Sequence, residues 1–110
     1  MQQSLVEPVT QTDPPERKVI EAIARRLLLR ADYNGTEVLL APHQLFERHG
    51  DLYLGALNTG KTWRSDDERR LGFFKLAGLG GVAVVDTPFE PLDGVGEALP
   101  RESDTLVFAV

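Results

Sequence analysis

Apolar residues near the N-terminus recur with the period of an α-helix. The residues of this apolar stripe are Val19, Ile20, Ile23 and Leu27. Asp13 is a preferred N-cap residue, Pro14 suits the first helical position, and Glu16 follows Asp13 at the spacing of a capping box. The pattern therefore predicts an amphipathic helix over residues 14 to 27, and the unpatterned residues 1 to 12 are expected to form a frayed tail.

The alternation then changes to that of a β-strand, whose successive side chains point to opposite faces. Residues 27 to 33 alternate in this way, and Asn34-Gly35 is the strongest short sequence signal for a hairpin. The partner strand that follows stops at Pro42. A second hairpin is predicted around His49-Gly50-Asp51, so the sheet is expected to begin as an antiparallel one.

The second half of the chain predicts shorter strands, which charged and glycine-rich connections separate. Residues 71 to 81 are expected to hold a short strand, followed by a tight turn or bulge at Gly78, Gly80 and Gly81. The apolar run over residues 82 to 86 is typical of a buried strand. The glycines therefore mark the point at which the chain bends from one strand into the next.

A last strand is predicted over residues 105 to 110, after a loop over residues 91 to 104. One helix followed by five to seven short strands with tight turns predicts a mainly β (α+β) domain. In this domain an N-terminal amphipathic helix packs on a small antiparallel β-barrel or a strongly bent sheet. Residues 13 to 110 are expected to form the single domain, because 110 residues suffice for one core.

Composition narrows the classes of function. The net charge of −5 and the pI of about 4.9 argue against tight nonspecific binding of nucleic acid over the whole surface. The chain has no cysteine, and therefore neither disulfides nor thiolate metal sites. No apolar run is long enough to cross a membrane, and the first residues contain no apolar stretch of the signal-peptide type. A cytoplasmic protein with no membrane partner is therefore predicted.

The segment GALNTGKT, residues 55 to 62, matches the Walker A pattern of phosphate-binding loops at every fixed position. In such a loop Gly60, Lys61 and Thr62 would hold the phosphates and magnesium, and Asp86 would be the Walker B residue. The loop requires a helix directly after it and a parallel sheet, whereas no apolar helical stripe follows Thr62. We therefore predict a strand end and a turn here, without a phosphate site.

The order of several motifs between Leu27 and Phe89 resembles that of a WYL domain, a bacterial sensor module usually attached to a DNA-binding helix-turn-helix. The segment LLLRADYNG is similar to the family's first strand, and LLAPHQLFERHGDLYLGAL is similar to its proline, leucine, glycine turn and name motif. The segment FFKLAGLGGVAVVDTPFE is similar to the family's Phe-Arg-Leu-Asp-Arg-Ile segment and the following strand. The resemblance implies an Sm/SH3-like barrel and a stand-alone module without the helix-turn-helix.

The resemblance also implies a ligand pocket around Tyr53, because the tyrosine of the name motif faces the pocket in that family. Leu52, Tyr53 and Leu54 occupy the Trp-Tyr-Leu positions, so a leucine replaces the tryptophan. Lys75 stands where the family often has an arginine, and Ala77-Gly78 replaces an Asp-Arg pair. This chain therefore has fewer basic residues than the family at the positions of the pocket. Lys75 is expected to point away from its apolar neighbours, towards solvent or a polar groove.

The remaining candidate ligand contacts are Tyr33, His43, Arg64, Arg69 and Arg70. Tyr33 ends the first strand, where it could also be an aromatic of the core or its rim. His43 could hydrogen-bond a ligand, or it could be a solvated or capping histidine. The three arginines could restore positive charge near Tyr53, or they could lie in a solvated loop.

No catalytic arrangement is present in the pattern of polar residues. Asp66 and Asp67 show no sign of the burial that tunes a pair of carboxylates for acid–base catalysis. His43 and His49 have no spacing that pairs them as zinc ligands. We therefore predict that the protein is not an enzyme and that it has neither a cofactor nor a metal site.

Three hypotheses of function follow. The first is a ligand-sensing regulatory module that binds a nucleotide or a short single-stranded nucleic acid in a groove around Tyr53, with cations that meet phosphate. The second is a non-enzymatic assembly module that forms a homo-oligomer through a strand edge or the helix. The third is a P-loop nucleotide-binding protein. A separate DNA-binding protein is a further candidate partner of the sensor module.

Overall fold

The computed structural model describes residues 14–65, 68–93 and 99–110. In these residues the chain forms α1 (Pro15–Arg25), β1 (Leu27–Tyr33), β2 (Thr36–Arg48), β3 (Asp51–Asn58), β4 (Gly72–Lys75), β5 (Leu79–Pro88) and β6 (Thr105–Ala109). A 3-10 helix (Leu76–Gly78) joins β4 to β5. The prediction of a mainly β domain with one N-terminal helix is confirmed for the described part of the chain. The predicted tail and N-cap, residues 1 to 13, lie outside it.

The helix is shorter than predicted. It begins one residue later, because Pro14 has extended backbone and occupies the N-cap position, while Pro15 takes the first helical position. It ends before Arg26, which adopts the left-handed conformation with φ 55°. Leu27 then pairs with Pro88 in the sheet. No helix among the described residues is long and apolar enough to cross a bilayer.

All six strands belong to one antiparallel sheet. Its main path has the order β4-β3-β2-β1-β5, and β6 pairs with the C-terminal half of β2. The strands at the two ends of this path, β4 and β5, follow each other directly in the chain through the 3-10 helix. The sheet therefore bends far enough for three residues to connect its two end strands.

Two-residue turns set the register of the first hairpins. Asn34-Gly35 and His49-Gly50 both have positive φ at each residue, which is typical of type I′ turns. Both hairpins were predicted, and the second turn is shorter than expected because Asp51 already pairs with Arg48. The backbone of a type I′ turn matches the twist of the flanking strands, so each turn fixes which residues oppose one another.

Two irregularities bend the long strands. In β2, His43 is the extra residue between the pairs Pro42–Ala56 and Gln44–Gly55. In β5, the register shifts opposite Ala31, where Gly81 has φ 56°. The prediction of a glycine bulge is therefore confirmed. Within the predicted buried run, Val82 is buried, residues 83 to 85 are half-buried and Asp86 is exposed, because β5 ends the sheet path.

Apolar residues pack on both faces of the sheet. On one face, Val19, Ala22 and Ile23 of α1 join buried residues from the strands, which are Leu29, Ala31, Leu40, Leu45, Leu54, Ala56, Leu79 and Val82. The N–H groups of Lys18 Nζ donate to the carbonyl of Val82 over 3.1 Å and tie α1 to β5. On the opposite face, a smaller cluster of Leu28, Ala41 and Leu57 lies beneath connecting segments. The helix therefore covers one face of the sheet, and connecting segments cover part of the other face.

The packing of α1 on the sheet predicts that an isoleucine-to-alanine substitution costs more stability at Ile23 than at Ile20. Ile23 is 1% exposed, so Ile23→Ala should lower the free energy of unfolding by about 2–5 kcal/mol. Ile20 is only partly buried against the same cluster, so Ile20→Ala should cost clearly less. Urea unfolding followed by circular dichroism measures both variants. Equal losses would contradict this packing of the helix.

Candidate ligand-binding face

The register of the hairpins places Tyr53 of β3 directly between Phe46 of β2 and Lys75 of β4. Directly opposed residues of an antiparallel pair share one face of the sheet. Leu54 belongs to the buried cluster that includes residues of α1, so this shared face is the one that α1 does not cover. We call the group the Tyr53 face; its side chains are Phe46, Arg48, Asp51, Tyr53, Phe73 and Lys75.

Three aromatic rings on this face run from buried to exposed. The Phe46 ring is fully buried and lies nearly parallel to the Tyr53 ring, with 5.7 Å between the ring centroids. Phe73 meets Phe46 edge to face, with 5.9 Å between the centroids. Tyr53 is half-buried, whereas Phe73 is 45% exposed. The exposed part of this aromatic surface therefore lies towards β4.

Arg48 joins these rings to a buried carboxylate. Its guanidinium carbon lies 5.0 Å from the Tyr53 centroid and 5.4 Å from the Phe46 centroid, within the range of cation–π contacts. Nε and Nη2 of Arg48 donate to the two oxygens of Asp104 over 2.8 and 3.0 Å. The Asp104 side chain is fully buried, so this bidentate pair is shielded from solvent.

The carboxylate of Asp104 also accepts a hydrogen bond from the backbone N–H of Arg101 over 3.1 Å. The hydrogen bonds from Arg48 hold the pKa of Asp104 below its ordinary value, and the bond to Asp104 raises the pKa of Arg48. Both groups are therefore charged at neutral pH. Their contribution to stability is lost only in acid, as the pH falls below the ordinary aspartate pKa and through that of folded Asp104.

Lys75 is held much more loosely than Arg48. Its Nζ lies 3.4 Å from a carboxylate oxygen of Asp51, and both side chains are about half exposed, at 50% and 49%. Exposed ion pairs contribute little to stability because solvent screens them. Phe74 and Leu76 on either side of Lys75 pack into the core, which confirms that Lys75 points away from its apolar neighbours.

The arginines predicted near Tyr53 lie in the connection between β3 and β4. Arg64 is 91% exposed and pairs with Glu68 over 3.3 Å. Arg69 is half-buried and Arg70 is exposed. The connection enters β4 at Gly72, which is about 10 Å along the strand from Lys75. A position of these arginines beside Tyr53 stays a prediction, and the Tyr53 face is defined without them.

Tyr33 lies on the other face of the sheet. Its ring packs edge to face against Phe74, with 5.1 Å between the centroids, beside the core that α1 covers. This is the position of a rim aromatic, which was one of the two interpretations of Tyr33 from the sequence. Tyr33 and Tyr53 are therefore not part of one surface.

His43 lies inside the protein, neither solvated nor on the Tyr53 face. Its ring is fully buried, and Nδ1 lies 2.8 Å from the carbonyl oxygen of Ala41. The backbone N–H of Leu92 donates to Nε2 over 2.9 Å, so the neutral ring carries its proton on Nδ1. Burial lowers the pKa of His43, and the bond to Ala41 opposes this effect. The bulge in β2 turns this side chain inward.

Sequence reasoning missed Phe46, Arg48, Phe73 and Asp104 as members or supports of this site. A two-residue turn at His49-Gly50 would have placed Arg48 opposite Asp51 and Phe46 opposite Tyr53. The alternation along β4 would have placed Phe73 beside Lys75. Asp104 had no such signal, because it lies 56 residues from Arg48 in the chain.

The residues of the Walker-like segment have structural contacts of their own. A Cβ atom on Gly55 would lie 2.6 Å from Cγ of Gln44, so packing requires glycine there. The Asn58 side chain accepts a hydrogen bond from the N–H of Gly60 over 3.0 Å, and Lys61 lies over the Trp63 ring at 4.6 Å. The segment is a strand end and a turn, as predicted, and Lys61 to Trp63 are not helical.

Comparison with known proteins found no matching family model, no similar curated protein and no similar solved structure. The resemblance to WYL domains therefore stays a prediction from sequence motifs.

Substitution of the two Walker-like glycines should affect the stability of the protein to different extents. Gly55→Ala should lower the free energy of unfolding by about 1–3 kcal/mol, because the added methyl group overlaps Gln44. Gly60→Ala should be nearly neutral, because its Cβ would meet the closest atom at an ordinary 3.5 Å. Denaturant unfolding of both variants and of Gly55→Ala with Gln44→Ala tests the contact. A Gly55→Ala cost that is unchanged in the Gln44→Ala background would contradict it.

His43 predicts a loss of stability in mild acid. Because its folded pKa lies below 6.5, the unfolded chain takes up a proton that the folded chain refuses. The free energy of unfolding should therefore fall as the pH drops below about 6.5, by at most about 1.4 kcal/mol per pH unit, until the folded pKa is reached.

Chemical unfolding between about pH 7 and pH 5 measures this slope, above the range in which Asp104 titrates. His43→Gln should flatten the profile. His49→Asn is the matched control, since His49 is exposed and asparagine tolerates its φ of 53°. If His43→Gln left the pH dependence of stability unchanged and His49→Asn flattened it, the prediction for His43 would be wrong.

Proposed function

We propose that this chain is a ligand-sensing module of WYL type that binds a nucleotide or a short single-stranded nucleic acid on the Tyr53 face. In this proposal the bent sheet is an Sm/SH3-like barrel, closed through the 3-10 helix between β4 and β5. The observation that supports it is the pairing of Tyr53 with Lys75 in register, with the exposed ring of Phe73 on the same face. No catalytic step is part of the proposal.

The chemistry of this face suits bases and phosphates together. Aromatic side chains on an open sheet stack on bases, and neighbouring cations neutralise the backbone phosphates. Lys75 is exposed, and its pair with Asp51 is weak enough to exchange for a phosphate. Sequence-independent recognition follows, because every base offers a π-face to the ring.

The charge of the protein limits the affinity. The net charge is −5, and the two cations of the Tyr53 face each have a carboxylate partner. Few counterions are therefore released on binding, and a micromolar or weaker dissociation constant is expected at physiological salt. A sensor that responds to abundant ligand works in this range. A DNA-binding partner protein would supply the regulatory output.

The assembly hypothesis has one observation in its favour. Phe73 is an exposed aromatic on β4, which ends the main path of the sheet, and Val107 of β6 is 47% exposed. Exposed apolar residues on end strands are typical of strand-to-strand association. Sedimentation equilibrium of the free protein discriminates the two functions, because the sensor hypothesis requires that Phe73 stay accessible in solution.

Removal of Lys75 should weaken binding in a salt-dependent way. With a fluorescent oligothymidylate of on the order of ten nucleotides, Lys75→Ala should reduce the slope of log affinity against log salt by about 0.7, the value for one phosphate contact on a single strand. Arg30→Ala is the matched control, since Arg30 is equally exposed and has its own carboxylate partner, Glu37. Fluorescence anisotropy at several salt concentrations measures both slopes.

Two results would refute the proposal. One is the absence of saturable binding of oligonucleotides and mononucleotides by the wild-type protein. The other is an equal change of slope in Lys75→Ala and Arg30→Ala, which would indicate a diffuse effect of charge rather than a site. Self-association without nucleotide binding would favour the assembly module.

A further inference from the structure

The aromatic residues of the Tyr53 face are not equally available to a ligand. The ring of Tyr53 has a parallel neighbour in Phe46 and a guanidinium over it in Arg48. The ring of Phe73 has one edge-to-face contact with Phe46 and is 45% exposed. A base can reach Phe73 directly, whereas Arg48 would have to leave the Tyr53 ring before a base could stack there.

Arg48 resists such a displacement because of its second partner. Its two hydrogen bonds to Asp104 are charge-assisted and shielded, and the Asp104 side chain has no exposed surface. Withdrawal of Arg48 would leave the buried carboxylate with the N–H of Arg101 as its one remaining partner among the described residues. An uncompensated buried charge is strongly unfavourable. Arg48 therefore stays in place when a ligand arrives.

Lys75, unlike Arg48, can leave its carboxylate partner at little cost. Its partner Asp51 is half exposed, so water replaces the carboxylate at little cost when Lys75 turns to a phosphate. Lys75 and Phe73 are two residues apart on β4 and share one face, which separates them by about 7 Å. A nucleotide spans that distance between its base and its own phosphate.

From these contacts, and on the premise of the proposed function, we infer that Phe73 provides the stacking surface and Lys75 the phosphate contact. Tyr53 and Arg48 form the floor beneath them: Tyr53 is a positioning residue, and Arg48 remains bound to Asp104. Asp51 is a competitor of the ligand, because its carboxylate holds Lys75 and repels a phosphate. This assignment moves the site from the middle of the sheet towards β4.

The assignment of the stacking ring is tested by two leucine substitutions, which retain apolar bulk and remove the π-face. Phe73→Leu should weaken the binding of the labelled oligothymidylate by about 5- to 150-fold, as expected for the loss of one stacked base. Tyr53→Leu should weaken it clearly less. Leu39→Ala, on another exposed apolar residue, serves as the control for general surface effects.

A photochemical experiment gives a readout that does not depend on folding of the variants. Wild-type protein is irradiated with an oligonucleotide that contains bromouracil, and the modified peptides are identified by mass spectrometry. Adducts on Phe73 support the inference, whereas adducts on Tyr53 overturn it.

The role of Asp51 predicts a gain of affinity. Asp51→Asn should tighten oligothymidylate binding about two- to fivefold, which is the worth of an exposed ion pair. Glu37→Gln is the matched control, since it removes one negative charge from a comparable pair, with Arg30 at 3.3 Å, on the same sheet. A larger gain in Asp51→Asn than in Glu37→Gln supports the local competition, and equal gains overturn it.

The outcomes separate the inference from the function on which it rests. If the wild-type protein binds and Phe73→Leu binds equally well, the assignment of the stacking ring is wrong, while the proposed function stands. If Tyr53→Leu loses more affinity than Phe73→Leu, stacking occurs on Tyr53 and the inference is likewise overturned. If the wild-type protein binds no nucleotide or oligonucleotide, the proposed function fails, and the inference fails with it.

Discussion

The register of β2 is the constraint on which the rest of the structure depends. This strand of 13 residues pairs with β1, β3 and β6, and type I′ turns at both ends fix its alignment with β1 and β3. A shift by one residue would exchange its two faces, which would move Leu45 out of the cluster that α1 covers and bring Phe46 into that cluster, away from Tyr53. The bulge at His43 adds the bend that brings the C-terminal half of the strand to β6.

Burial, rather than charge alone, decides what the cations of the Tyr53 face can do. Arg48 and Lys75 are both ion-paired, yet one carboxylate is fully buried and the other is half exposed. The buried pair is a structural anchor that fixes the start of β6 to the end of β2. The exposed pair is exchangeable, because water compensates both partners when they separate. Two ion pairs of one face therefore differ in kind: one is a fixed support and the other an exchangeable contact.

The Walker-like segment illustrates how a local pattern acquires its meaning from its surroundings. Phosphate binding requires backbone N–H groups that point to a common centre at the start of a helix. Here Gly55 leaves space for the side chain of Gln44, and the N–H of Gly60 donates to the side chain of Asn58 within the turn. The lysine lies over Trp63, in the connection that covers the smaller apolar cluster. Both glycines and the lysine of the pattern thus have local contacts that account for them without a phosphate.

The sequence by itself determined the elements of this protein, because periodicity and turn chemistry are local: the single helix, the two hairpins at Asn34-Gly35 and His49-Gly50, the glycine bulge and the last strand all follow from neighbours in the chain. It also placed Tyr53 and Lys75 on the face opposite to their apolar neighbours through alternation.

Only the tertiary structure decided which side chains meet. Asp104 reaches Arg48 from 56 residues away, and the β2 bulge buries His43 against Leu92. Such contacts depend on how the sheet bends and on which strands become neighbours, and the energy of long-range packing determines both.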